Sequence, residues 1–132
     1  MSRLFALSEA SAIALHGLVL IAKSKNGLKV VDIAQKIDSS KHHVAKVLQR
    51  FVKAGYLTSQ RGPGGGFRLK LAPEEIDLLE IYETIEGEIN ITECPLDKPI
   101  CPFNKCIINN ITGKMTSEFK DYLQSQTLKK FL

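Results

Sequence analysis

Six residues, Arg61-Gly-Pro-Gly-Gly-Gly66, constrain this chain more than any other stretch. Four glycines and a proline rule out a helix and leave a turn. Beyond it, Phe67, Leu69 and Leu71 alternate with Arg68 and Lys70, the period of a half-buried strand, and Tyr56 to Gln60 reads as the strand before it. The unit is a hairpin with a long glycine turn. A phosphate-binding loop would need Gly-Lys-Ser/Thr opening a helix. Here Gly66 runs into Phe-Arg-Leu and a strand pattern, so that reading is excluded.

A helix precedes the hairpin. Ser39 or Ser40 supplies an N-cap oxygen, and Val44, Val47, Leu48 and Phe51 recur at three- and four-residue steps. Lys41, His42, Ala45, Lys46, Gln49, Arg50 and Lys53 fall largely on the opposite face, and Gly55 ends the helix. Residues 39–71 contain seven Lys or Arg and no Asp or Glu. With the chain at +4, that +7 leaves −3 for the remainder, and nine acidic residues with no basic one fall between Ala72 and Asp97. A basic module joined to an acidic one points to a polyanion partner on one side only. A cationic helix followed by a cationic hairpin has the form of a winged helix-turn-helix, in which the helix enters the major groove and the hairpin lies alongside. Ser40, Lys41, His42, Lys46 and Arg50 are then expected to contact DNA. Arg61, with Gly62, Gly64 and Gly65 allowing close backbone approach, is expected to reach a narrow minor groove.

The run Ala-Gly-Tyr-Leu-Thr-Ser followed by Arg-Gly-Pro-Gly-Gly-Gly-Phe resembles the wing of the bacterial IscR/NsrR/CymR family, transcription regulators that often carry iron–sulfur clusters. The likeness extends from the first helix to the final Thr-Leu-Lys-Lys-Phe-Leu.

The rest of the chain reads as mostly helical. Ser8 caps a first helix running to about Lys23, with Glu9 in its first turn and Leu15, Leu18, Val19 and Ala22 toward the core. Val31 to Ile37 gives the first helix of the helix-turn-helix, and Asp38 starts the turn. His42 and His43 are adjacent and point about 100° apart on a helix, so they do not chelate one ion; His16 reads as a structural or surface residue. Pro73 opens another helix, with Ile76, Leu79, Ile81, Tyr82 and Ile85 apolar, and Gly87 ends it. After Cys106, Ile108, Ile111, Met115, Phe119 and Tyr122 make a long helix with a narrow apolar stripe. Spacing leaves open whether the stripe completes a monomer core; the resemblance implies that it packs against its twin in a homodimer. Thr127 starts a short terminal helix. The expected division is 1–72, a winged helix-turn-helix domain, and 73–132, a cluster-binding loop and dimerisation helix.

The chemistry is concentrated in three cysteines, Cys94, Cys101 and Cys106, separated by six and four residues. Pro95, Pro99 and Pro102 keep the segment out of regular structure. The apolar run Ala10 to Ala22 is too short for a membrane span, which needs roughly 20 residues, and it lacks a cleavage site. The expected setting is a reducing cytoplasm, without a membrane, where thiols serve metal or redox chemistry more readily than disulfides. Thiolates are the usual ligands of iron–sulfur clusters. Zinc and plain redox-active thiols compete with that reading, since three cysteines leave a closed site one ligand short.

The resemblance implies a cluster, of two or four irons, because the cluster-binding members place three cysteines at this point. It also implies a fourth ligand. Some members use a histidine soon after the third cysteine, where this chain has Asn109. Others use a carboxylate at the start of the first helix, donated by the other subunit, which matches Glu9. The sequence thus yields a dimeric regulator of a palindromic duplex DNA operator, responsive to redox state, nitric oxide or iron–sulfur supply. A cluster-free thiol- or zinc-sensing regulator is the nearest rival, and a small iron–sulfur electron-transfer or carrier protein a remote one. No nucleophile–base pair or acid–base carboxylate pair supports an enzyme.

Overall fold

The computed structural model describes residues 5–92, 94, 96 and 100–132. Its elements are α1 (Glu9–Lys23), α2 (Val30–Ile37), α3 (Lys41–Lys53), β1 (Leu57–Gln60), β2 (Gly66–Leu69), α4 (Leu78–Glu86) and α5 (Ile111–Ser125), with 3-10 turns at Pro73–Glu75 and Leu128–Phe131. The fold is mostly helical with one antiparallel hairpin, as the sequence implied.

α1 starts where Ser8 accepts from the Ser11 amide at 3.0 Å. It buries Ile13, Ala14, Gly17, Leu18 and Ile21, whereas Leu15, Val19 and Ala22, expected in the core, are only half-buried at its margin. The helix is apolar over most of its circumference and meets α2, α3, α4, β2 and the last 3-10 turn. Periodicity alone therefore could not choose the deepest face.

α2 ends in Asp38, whose left-handed backbone (φ 53°) turns the chain into α3. The Ser40 hydroxyl accepts from the His43 amide at 3.3 Å, fixing which of the two serines caps α3. Val44, Val47, Leu48 and Phe51 are buried as the spacing required.

The hairpin pairs Leu57 with Leu69 and Gln60 with Gly66. It is also pinned to the α1–α2 connection. Leu28 and Phe67 exchange two backbone hydrogen bonds, of 3.0 and 2.7 Å, placing Phe67 in the core. This pairing explains Gly66, and the closure of the turn explains Gly65. A Cβ on Gly66 (φ 137°) would sit 2.6 Å from the Leu28 carbonyl oxygen, and one on Gly65 would sit 2.4 Å from the Gln60 oxygen. Gly62 and Gly64 face open space and serve the turn through their positive φ. Leu71, read as inward-facing, is 39% exposed because the strand ends at Leu69.

Two helix starts differ from the expectation. Pro73 opens only a 3-10 turn, after which Ile76 drops fully into the core in an extended conformation. α4 begins at Leu78, set by a reciprocal cap: the Glu80 amide donates to Asp77 Oδ1 at 2.8 Å, and the Asp77 amide donates to Glu80 Oε2 at 3.0 Å. Ile108 lies in a turn before α5 and is exposed, and α5 itself buries only Gly113 and Leu123. The last turn closes back on the core, with the Leu78 amide donating to the Gln126 carbonyl at 2.9 Å and the Leu128 amide to the Ile76 carbonyl at 3.0 Å. Leu123 and Leu128 share one buried cluster with Ile13, Leu48 and Phe51, so the core runs across the boundary expected at 72/73.

Gly66→Ala should lower stability by about 2–3 kcal/mol, because its Cβ would meet the Leu28–Lys29 backbone, which must give way. Gly64→Ala should lower it by about 1 kcal/mol, the left-handed cost alone. Denaturant midpoints with unchanged slopes would measure both; equal losses would remove the steric account of Gly66.

Candidate DNA-binding face and cysteine segment

α3 exposes Lys41, His42, Lys46, Gln49 and Lys53 on the side away from its buried stripe. No acidic residue lies in its first turn, so neighbours of like sign leave that face cationic. Beside it stands the wing, with Arg61 exposed before the turn closed by the Gly65 amide on the Gly62 carbonyl at 2.9 Å. Between α3 and the wing runs a cleft of about 340 Å³ lined by Lys29, Gln49, Ser59, Gln60 and Gly65, among others. Lys29, Ser59 and Gln60 were not singled out from sequence. Lys29 lies outside the acid-free run, and the Leu28–Phe67 bridge sets the start of α2 beside the wing.

Two of the expected DNA contacts have other partners. Ser40 accepts the amide that caps its own helix. Arg50 is turned along α3 toward α4, where its Nη2 donates to the carbonyls of Thr84 at 2.9 Å and Ile85 at 3.4 Å. These carbonyls belong to the last turn of α4, which lacks intrahelical partners and carries partial negative charge. α4 has no basic residue of its own there.

The next residue, Glu86, ties the same turn to α1. Its Oε1 accepts from the hydroxyl of Ser11 at 2.6 Å and from that of Ser8. Ser11 is the buried polar residue of the described core, and this bond satisfies it. Hydrogen bonds from Ser11 and then Ser8, and the charge of Arg50, hold the Glu86 carboxyl below its usual value against a raising effect of burial. A lowered folded pKa contributes stability above the ordinary carboxylate range and loses it as pH falls through the folded value.

Glu9 Oε1 lies 3.3 Å from His43 Nδ1, with the carboxylate side chain 66% exposed. Within one chain Glu9 therefore joins the start of α1 to the first turn of α3, a pairing of little energetic weight at such exposure. His16 is exposed and its Nδ1 donates to the Ala12 carbonyl at 2.7 Å.

The cysteines lie between α4 and α5. All three are free thiols; Cys94 and Cys106 are half-buried and Cys101 is exposed. Cys94, Cys101 and Cys106 all sit outside helix and strand. Pro95 and Pro99 lie outside the described residues, as do the acidic Glu93 and Asp97. Among the described residues, no three His, Cys, Asp or Glu side chains converge as a metal site would require. The donor set nevertheless suits iron: three thiols unused by disulfides, on a segment whose described residues lie outside helix and strand. Around them Leu96, Ile100, Phe103, Ile107 and Ile108 are exposed apolar side chains.

Comparison with known proteins bears on this arrangement directly. The family model Rrf2, "Iron-dependent Transcriptional regulator", matches residues 7–132. The HTH-type transcriptional regulator NsrR of Bacillus licheniformis is 35% identical over 118 residues, covering 84% of this chain and 80% of that protein. NsrR of Bacillus subtilis is 30% identical over 119 residues, covering 87% and 82%. Among solved structures, CymR, the global cysteine regulator of B. subtilis, superposes with a TM-score of 0.78 at 23% identity, covering 96% of this chain and 95% of that one. That likeness shows the fold. No helix among the described residues is long and apolar enough to cross a membrane. With its winged helix-turn-helix and regulators as its relatives, the chain belongs to the Rrf2 family and is a DNA-binding transcription regulator, not an enzyme.

Proposed function

We propose that this regulator binds duplex DNA as a homodimer and that an iron–sulfur cluster on Cys94, Cys101 and Cys106 sets its affinity. The observation that carries the reading is the placement of three free thiols on one segment between α4 and α5, in a family described as iron-dependent. A bound cluster supplies a group that oxidants, nitric oxide or iron shortage remove or modify. The chain's own part is to hold that group with thiolates, leaving a fourth position for a weaker ligand. Glu9 of a second subunit is the carboxylate we assign there; it is exposed enough to leave His43. A cluster-free thiol sensor is the second reading, favoured by the fold shared with the cysteine regulator CymR and by the exposure of Cys101.

DNA contact falls to Lys41, His42 and Lys46 on α3 and to Arg61 on the wing, with Lys29 added from the cleft beside them. Gly62 and Gly64, with open space where a side chain would stand, let the wing tip approach a groove; Gly65 serves the wing's own closure. A palindromic operator follows from twofold symmetry, with recognition helices about 34–36 Å apart or a multiple of that.

For the dimer, α5 offers an apolar cleft of about 680 Å³ bordered by Phe5, Leu7, Tyr82, Met115, Phe119 and Tyr122. Phe119 packs its ring against Phe5 and Tyr82 at centroid distances of 6.0 and 5.4 Å, while Phe5, Leu7 and Tyr122 are each more than half exposed. A self-complementary patch of this kind is what a twofold contact uses.

Protein purified without oxygen should show visible cluster absorption, which each Cys→Ser substitution at 94, 101 or 106 abolishes and Glu9→Ala alters in spectrum or decay in air. A colourless protein with iron-independent DNA affinity would favour the thiol sensor. Lys46→Ala should reduce the slope of log affinity against log salt by about 0.9, one phosphate contact. Arg61→Ala should cost roughly 1–3 kcal/mol on a selected duplex, and unchanged binding would take Arg61 off the interface. Met115→Asp should convert the dimer to monomers in sedimentation; a wild type already monomeric at micromolar concentration would sink the role given to α5.

A further inference from the structure

The last turn of α4 stands at a junction. Beyond it Gly87 (φ 86°, ψ 173°) leads out with open space where a side chain would stand, and the chain reaches Cys94 seven residues later. The first part of that exit segment is held. The Ile89 amide donates to Glu83 Oε2 of α4 at 2.7 Å, and the Ile89 carbonyl accepts from Lys120 Nζ of α5 at 3.4 Å. On the other side of the same turn Arg50 of α3 donates to the Thr84 and Ile85 carbonyls, and Glu86 accepts from Ser8, the cap of α1, and from Ser11 within it. α3 and α4 otherwise meet over only a short seam.

We propose that Arg50 and Glu86 are positioning residues that carry the state of the cysteine segment to the DNA-binding helix. The inference rests on the sensing reading above and goes further, by assigning the residues that connect the two sites. Drawing the three thiols onto one group pulls on Cys94, and through Ile89 and Glu83 that pull acts on the end of α4. The Thr84 and Ile85 carbonyls then move with respect to α3. Arg50 follows its acceptors or loses them, and Lys46, one helical turn away on α3, shifts with it. Glu86 fixes the same turn against the start of α1, so the motion is taken up at α3. A ligand biases two arrangements only through contacts that differ between them, and the Arg50 and Glu86 bonds are contacts of that kind.

A plain phosphate contact by Arg50 makes a different prediction, which separates the two roles. DNA affinity is measured for iron–sulfur-loaded and chelator-stripped protein on a duplex selected from random sequence with the wild type. In the wild type the two forms should differ by a factor in the roughly 5–150-fold range usual for coupled sites. Arg50→Gln and Glu86→Gln should each bring that ratio to within about twofold of one, with the salt slope unchanged. The full wild-type ratio in both variants overturns the relay and leaves the sensing reading standing. A uniform affinity loss in both forms of Arg50→Gln with a smaller salt slope also overturns it, marking a phosphate contact. Equal affinity of the two wild-type forms overturns the sensing reading and the relay with it. Amide hydrogen exchange over residues 47–53 needs no DNA and serves where a variant binds weakly. Stripping should change exchange there in the wild type and leave it unaltered in both variants; a wild-type-sized change in both variants overturns the relay.

Discussion

α1 has to be surrounded. A helix that is apolar over most of its circumference cannot lie on the surface of a small protein without leaving a broad hydrophobic strip in water. α3 covers one side through Leu48 and Phe51, while α4 and the C-terminal turn, with Ile81 and Leu128, complete the cluster around it. That burial decides what each neighbour shows to solvent. α3 spends Val44, Val47, Leu48 and Phe51 inward and is left with lysines and a histidine outward. The cationic face is thus a by-product of the same packing that makes the core.

The wing depends on that core through two backbone bonds. Leu28 and Phe67 pair as a short bridge, and Phe67 is buried by it. The hairpin is therefore held at a set angle beside α3, which two strands alone could not ensure, since an isolated hairpin is marginal in water. The glycines divide accordingly: Gly65 and Gly66 allow backbone to meet backbone, and Gly62 and Gly64 allow the turn.

The acidic stretch behaves differently from a solvated tail. Glu75 accepts from the Ala72 amide, Asp77 and Glu80 cap α4, Glu83 holds Ile89, and Glu86 holds two serines of α1. Several negative charges are thus assigned to local amides and hydroxyls. Glu83 and Glu86 fix the end of α4, from which the cysteine segment departs; on that segment Cys101 is exposed, Cys94 and Cys106 are half-buried, and apolar side chains face solvent.

Sequence alone determined the parts whose signal is local. Serine caps, the three- and four-residue spacing of α3, the alternation after Gly66 and the acid-free run from Ser39 to Leu71 each follow from short-range chemistry, and together they dictate a winged helix with a cationic face. The three cysteines were equally plain as a donor set. Tertiary structure decided what depends on several elements meeting. It turned α1 so that Ile13 and Ile21 lie deepest, because neighbours on all sides compete for an apolar helix. It stopped the helix expected from Pro73, because Ile76 gains more in the core than in a first turn. It took Arg50 from the expected groove to the carbonyls of α4, since a guanidinium reaches a helix end only when another helix is packed there. Long-range pairing of this sort leaves no periodicity in the chain, which is why residues 34 and 75 positions apart could be joined only in three dimensions.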